Sequence, residues 1–335
     1  MLRPPLLAVL LCSLLLAACG GDDADTSASG GTDAAATTAT GPVSVTDDMG
    51  RQVRLDAPAK RVVVLEWGEA EDVLALGVQP VGLADLGEYR DYVAGGPAPA
   101  ASVVELGTRS EPSLERIASL RPDLIINSAS NISDNLDQFE KIAPTAVFDA
   151  FPEPDGSPKA DTWAQMRTAQ QRIGTLLGRR PQADALLGRL DREVATQRAR
   201  LRQAGEAGDR VVVVQGYTDG KPEARLFDSA SLMGELTTRL GLRDAFTGKP
   251  VQYGFTLTGL EGLRRVADAD AMLTSSIPSD DPFTTTWAKN PAFRRLPVVA
   301  RGGVQPIGGD TWVWGGPSTI ALAARRIADA TIEAG

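Results

Sequence analysis

From residue 43 onward, short apolar runs alternate with segments whose apolar positions recur every three to four residues. Residues 61–66, 80–84, 123–126 and 145–148 are rich in Val, Ile and Leu, too short for helices and bounded by Gly, Pro or polar residues, so they predict strands. Between them, 69–76, 113–120 and 135–142 predict helices; in the second, Leu114, Ile117, Ala118 and Leu120 fall at helical spacing. The strands are apolar at nearly every position rather than at every other one. That pattern predicts a parallel sheet covered by helices on both faces. It breaks at the Pro-rich stretch 151–160, and two long helices follow, 161–177 stopped by Gly178, then 181–203. Alternation resumes with strands at 210–215, 270–275, 298–301 and 304–307 and helices at 231–240, 259–266 and 317–332. The reading is two α/β halves joined by one long helix, the alternative being a single large doubly wound domain. A helix of about 17 residues spans about 25 Å, enough to cross between lobes, and ligand pockets favour such boundaries.

The first 42 residues follow another logic. Arg3 precedes an apolar run from Leu6 to Leu16, closed by Leu16-Ala17-Ala18-Cys19. That is the layout of a secretory signal peptide, and the run falls short of the ~20 residues that span a bilayer. Leu-Ala-Ala-Cys matches the bacterial lipoprotein signal, so residues 1–18 are expected to leave and Cys19 to carry lipid. Residues 20–42, made of Gly, Asp, Ser, Ala and Thr, predict a flexible tether with a reach of roughly 25 Å. The expected organisation is signal peptide 1–18, lipidated Cys19 with linker 19–42, N-terminal lobe 43–160, connecting helix 161–178 and C-terminal lobe 179–335. The expected location is the outer face of the cell membrane.

Composition narrows the function. Cys12 would leave with the signal and Cys19 would be acylated, so the mature domain has no thiol for a disulfide or a metal site. Histidine is absent, which removes the imidazoles that capture bare zinc or manganese and the usual base of a Ser-His-Asp or Cys-His site. Gly248-Lys249-Pro250 fails as a phosphate loop, and no G-x-S-x-G elbow or dinucleotide glycine fingerprint occurs. A net charge of −9 is unsuited to nucleic acid. A binding protein fits better than an enzyme.

Val64-Leu65-Glu66-Trp67 and the stretch from Asp72-Val73-Leu74-Ala75-Leu76-Gly77 through Pro80-Val81-Gly82-Leu83-Ala84-Asp85 resemble the iron–siderophore binding proteins. The ferric-hydroxamate and ferric-citrate members are nearest, and the wider family includes cobalamin-binding proteins. Leu106-Gly107-Thr108-Arg109-Ser110-Glu111-Pro112-Ser113 and Arg121-Pro122-Asp123-Leu124-Ile125-Ile126 continue the match. Thr258-Gly259-Leu260-Glu261 and Thr311-Trp312-Val313-Trp314-Gly315 extend it more loosely. The resemblance implies a class III periplasmic-binding-protein fold, α/β with two Rossmann-like lobes of parallel sheet on one long helix. It also implies delivery of a ferric siderophore, of hydroxamate, citrate or carboxylate type, by a monomer to the permease subunits of an ABC importer. Cobalamin or haem cargo, or a ligand-sensing lipoprotein, are the alternatives.

Because a siderophore already surrounds iron with oxygen, no cofactor or protein metal ligand is expected. The protein needs a cation for an oxygen-rich chelate and aromatic surface for its skeleton. The resemblance points to Arg109, whose guanidinium fork suits adjacent oxygens. Trp67 follows the first strand, where the crevice of a parallel sheet opens. Tyr89 and Tyr92 are expected in the loop after the second strand, and Trp312 and Trp314 stand among Gly308, Gly309, Gly315 and Gly316. Aromatics form only 5% of the chain, so their concentration at predicted strand ends carries weight. Phe227, Tyr253 and Phe255 are further candidates, while Trp163 and Trp287 read as helix packing. Asn127-Ser128-Ala129-Ser130-Asn131 stands where hydroxamate-binding relatives have aromatics, which suits a smaller or more hydrophilic chelate. Glu115 and Glu261 each open a similar-looking helix, one per lobe. The resemblance implies that they dock onto arginines of the two permease subunits, although a carboxylate there also complements the helix dipole.

Overall fold

The computed structural model describes residues 40–132, 135–149, 161–219, 221–248, 253–276 and 281–335. The predicted leader, Cys19, the tether as far as residue 39 and the Pro-rich stretch lie outside them. β1 (Val43–Thr46) and β2 (Gln52–Leu55) form an antiparallel hairpin at the start. The first lobe then runs β3 (Val62–Val64), α1 (Trp67–Ala75), β4 (Gly82–Leu83), α2 (Leu86–Tyr92), β5 (Val104–Glu105), α3 (Leu114–Ser119), β6 (Leu124–Ser128), α4 (Ala129–Ile132), α5 (Leu136–Glu140) and β7 (Thr145–Phe148). Its sheet is parallel throughout, in the order β5-β4-β3-β6-β7. Val62, Val64, Leu124, Ile126 and Phe148 bury into one core, and Val63, Leu65, Ile125 and Val147 into another. Strands with two cores to fill must be apolar at successive positions, as the sequence pattern required.

Strand order reverses between β3 and β6. The chain builds outward through β4 and β5, then returns to the far side of β3. At such a switch point the loops beyond the strands' carboxyl ends diverge and leave a crevice.

α6 (Thr162–Leu176) links the two halves. Asp161 caps its start by accepting from the Ala164 amide at 3.1 Å, and Gly178 follows its end at φ +64°. Trp163 and Met166 at its start bury in a core of the second lobe, whereas Ile173 and Leu176 at its end bury in the first. One helix therefore belongs to both cores. α7 (Arg180–Ala204) then folds back, touching α6 at Gly174, where a Cβ would come 2.8 Å from that of Ala183.

The second lobe contains β8 (Arg210–Asp219), β9 (Lys221–Phe227), α8 (Leu232–Arg239), β10 (Arg243–Asp244), β11 (Phe255–Thr258), a 3₁₀ helix (Leu260–Val266) and β12 (Ala271–Thr274). A second 3₁₀ turn (Trp287–Lys289), α9 (Pro291–Arg294), α10 (Pro297–Ala300), β13 (Val304–Pro306) and α11 (Pro317–Ala334) complete it. The sheet order is β11-β9-β8-β12-β13, with β10 beside the start of β8. β8, β10, β12 and β13 are mutually parallel, as a parallel sheet requires, but β9 runs against β8, and β11, antiparallel to β9, returns to the direction of β8. A second correction concerns 298–301, expected as a strand. Pro297 opens a helical turn there, a position where its fixed φ and missing N–H cost nothing.

Candidate ligand-binding cleft

The loops beyond the first sheet's carboxyl edge bring four polar residues together. Glu66 follows β3, Asp85 follows β4, Arg109 follows β5, and Asn131 lies in α4 beyond β6. Glu66 is the hub. Its Oε1 accepts from the Trp67 amide at 2.8 Å, capping α1, and from Arg109 Nη1 at 2.9 Å; its Oε2 accepts from Asn131 Nδ2 at 3.0 Å. Asp85 accepts from the Arg109 amide at 2.9 Å and from Arg109 Nε at 3.3 Å. Asp85 holds φ +48°, in the left-handed region that Asp tolerates better than most residues. The Arg109 guanidinium lies over the Trp67 ring, 3.8 Å from its centroid, and 5.5 Å from that of Trp312.

The second lobe answers with another arginine. Arg225 on β9 is the direct cross-strand partner of Gln215 on β8 and donates to its Oε1 at 2.8 Å through Nη1. Its guanidinium sits 4.8 Å from the Tyr217 ring centroid, 4.9 Å from that of Phe255 and 5.8 Å from that of Trp314. Burial pulls its pKa below the usual arginine value. The Tyr217 hydroxyl, itself raised in pKa by burial and by its bond to a carboxylate, donates to Glu223 at 3.1 Å.

Arg109, Arg225 and Trp312 line two adjoining cavities. One, of about 220 Å³, is completed by Trp67, Tyr92, Gln215, Gly216, Tyr217, Ser275 and Ser276. The other, of about 300 Å³, is completed by Glu66, Asp85, Ser110, Ser130, Asn131, Tyr253, Phe255 and Trp314. Both cavities draw on the two lobes. Their aromatic wall is continuous: Trp67 meets Trp312 edge-on at 4.7 Å, Trp312 meets Trp314 at 4.9 Å, and Tyr253 stacks on Phe255 at 6.2 Å. The Tyr253 carbonyl accepts from Trp314 Nε1 at 2.9 Å, and Tyr253 holds φ +76°, a strained value for a bulky residue.

Of the residues singled out from the sequence, Arg109, Trp67, Tyr92, Trp312, Trp314, Tyr253 and Phe255 meet at this cleft. Tyr89 and Phe227 lie behind it. The segment expected as a loop is the helix α2, and on it Tyr89 is 1% exposed, its ring edge-on to Trp67 and its hydroxyl buried without a hydrogen-bond partner among the described residues. Tyr92, one turn on, is half-buried and stacks on Trp67 at 5.7 Å. Phe227 is core, packed edge-on against Phe255 at 5.9 Å and Trp314 at 5.6 Å. Glu115 and Glu261 are exposed, on α3 and on the first 3₁₀ helix. The sequence reading did not single out Arg225, Gln215 or Tyr217, nor the roles of Glu66, Asp85 and Asn131. The signal for Arg225 was the alternation in β9, where Ala224 and Leu226 face one core while Arg225 points the other way.

The sequence profile of the family described as periplasmic binding protein matches residues 62–310. The chain belongs to that family. Among its relatives, a Bacillus subtilis protein named as a putative ABC transporter substrate-binding lipoprotein, YhfQ, is 28% identical over 92% of this chain and 90% of its own. The Fe(3+)-citrate-binding protein YfmC of B. subtilis is 28% identical over 79% of this chain and 78% of its own. Among solved structures, the Fe3+–Desferal-bound siderophore-binding protein FhuD of Vibrio cholerae superposes with a TM-score of 0.73. It has 27% identity and covers 82% of this chain and 99% of its own. The family is one of substrate-binding transport proteins, and the two-lobed architecture described above is its fold.

Proposed function

We propose that this protein captures a ferric siderophore or ferric carboxylate chelate between its lobes and delivers it to an ABC importer. The observation that carries the reading is the convergence of Arg109 and Arg225, one from each lobe, on a cleft walled by Trp67, Tyr92, Trp312, Trp314, Tyr253 and Phe255. Guanidinium groups suit the oxygen-rich face of a chelate, and the aromatic wall suits its organic frame. Polar Ser130 and Asn131 on the first-lobe side favour a compact, hydrophilic chelate. The relatives named for Fe(3+)-citrate and for Fe3+–Desferal support the same class. The protein works as a binding monomer without catalysis or cofactor, iron arriving inside its ligand. Residues 1–18 direct export, Cys19 anchors the chain at the outer face of the cell membrane, residues 19–42 tether it, and lobes 43–160 and 179–335 hang on the helix 161–178. Glu115 and Glu261 meet the permease.

Tryptophan fluorescence tests the reading directly, because Trp67, Trp312 and Trp314 border the cleft. The protein is titrated with ferric citrate, a ferric hydroxamate, a ferric catecholate, haem and cobalamin, each beside its metal-free or apo control. Saturable quenching by a ferric chelate and not by its iron-free form is expected. Saturation by haem or cobalamin alone overturns the choice of ligand.

A further inference from the structure

The two arginines of the cleft differ in how their charge is balanced. Arg109 lies between two carboxylates, with Nη1 2.9 Å from Glu66 and Nε 3.3 Å from Asp85. With both acids ionised, that group carries one net negative charge. Arg225 has a neutral partner, Gln215, and aromatic rings around it. Among the described residues no carboxylate pairs with it, and its Nε is buried without a hydrogen-bond partner. Arg109 adds repulsion from across the cleft. Arg225 nevertheless lines both cavities, and a half-buried cation without a carboxylate partner is held in a state that an incoming anion relieves.

We infer that Arg225 sets the charge preference of the site, selecting ferric chelates that present a carboxylate to it. Arg109, offset by Glu66 and Asp85, serves as a fixed hydrogen-bond fork that recognises chelate oxygens of any net charge. This division rests on the reading that the cleft holds a ferric chelate. It also implies that Glu66 and Asp85 restrain affinity for anions: they fix the Arg109 side chain in place at the expense of its charge.

The test measures dissociation constants of the whole chain for two probes, anionic ferric dicitrate and a neutral ferric trihydroxamate. Arg225→Gln should weaken ferric dicitrate about a hundredfold, the scale of one charge-assisted pair, and the neutral chelate less than about tenfold. Arg225→Lys, which keeps charge but not the fork, should restore the preference for the anion. Arg109→Gln should weaken both probes by similar factors. Asp85→Asn should tighten ferric dicitrate about threefold or more, since it removes a negative charge from the cleft. Equal losses for both probes in Arg225→Gln, or a preference for the anion lost through Arg109→Gln instead, overturn the inference. A wild-type protein that binds neither probe refutes the underlying reading rather than the division of charge. Circular dichroism confirms that each variant is folded before its constants are compared.

Discussion

Glu71 is the side chain whose removal should weaken the joint between the lobes most. It lies on α1, fully buried, and reaches the first turn of α11, which packs in the second lobe's core. Its Oε1 accepts from the Thr319 amide at 2.7 Å and its Oε2 from the Gly316 amide at 2.9 Å. A first-lobe carboxylate therefore caps the positive end of a second-lobe helix. The approach is possible because residues 315 and 316 are glycine: a Cβ on Gly316 would come 2.3 Å from Asp72 Oδ1, and one on Gly315 would come 3.0 Å from Glu71 Oε2. Glu71→Ala strands two buried N–H donors. Hydrogen bonds to a charged group contribute about 1.5–3 kcal/mol each. Part of that is returned, because burial itself disfavours the Glu71 carboxylate and raises its pKa. The net expectation is a loss of ~2–4 kcal/mol, with Glu71→Gln intermediate because it keeps one acceptor. Urea unfolding followed by tryptophan fluorescence gives the difference at constant slope, and native-state hydrogen exchange reports the two amides directly. If Glu71→Ala unfolds within about 0.5 kcal/mol of wild type, or the Gly316 and Thr319 amides keep their protection, the cap does not hold the lobes together.

Burial, with Glu66 nearby, raises the Glu69 pKa to about 8. The folded chain holds this proton through a window in which the unfolded chain has released it. Stability should therefore fall as pH rises from about 4.5 to about 8, by at most about 1.4 kcal/mol per pH unit from this group. Urea midpoints across that range should decline in wild type and decline less steeply in Glu69→Gln, with Asp209 and Asp244, whose pKa values are also raised by burial, supplying the remainder; an equal slope in the two proteins contradicts the assignment. Gly316→Ala should cost ~1–3 kcal/mol through overpacking against Asp72, read as a drop in melting temperature, and an unchanged melt would show that α1 and α11 can separate freely. Glu115→Ala combined with Glu261→Ala should leave unfolding within about 0.5 kcal/mol of wild type, because both side chains are exposed. The pair should abolish iron uptake in cells while ligand affinity is retained, and normal uptake would remove these residues from the importer interface.

The parts of this molecule that were legible in sequence are those whose cause is local. β3, β6, β7 and β12 bury on both faces, so each advertises itself as an apolar run. α6 was marked by its helical run from 161 and its stop Gly178. The errors fall where neighbours decide. Strand β9 opens with Lys221-Pro222 and has only a short alternation, so its partner strand β8, not its own composition, makes it a strand and turns Arg225 toward the cleft. Tyr89 and Tyr92 are legible as aromatics, but their place on a helix and not in a loop is not. Only the helix α2 determines that one packs beneath Trp67 while the other reaches the cavity. The same limit applies to charge. Arg109 is visible in its motif, but its partners stand 24 and 43 residues away, and the acceptor of the Thr319 amide stands 248 residues away. A residue type states what chemistry is available; the pairing states how much of it is left for a ligand. By that measure the arginine that the motif singled out has its charge more than offset by Glu66 and Asp85. The one without a motif is the cation whose charge is left for the cleft.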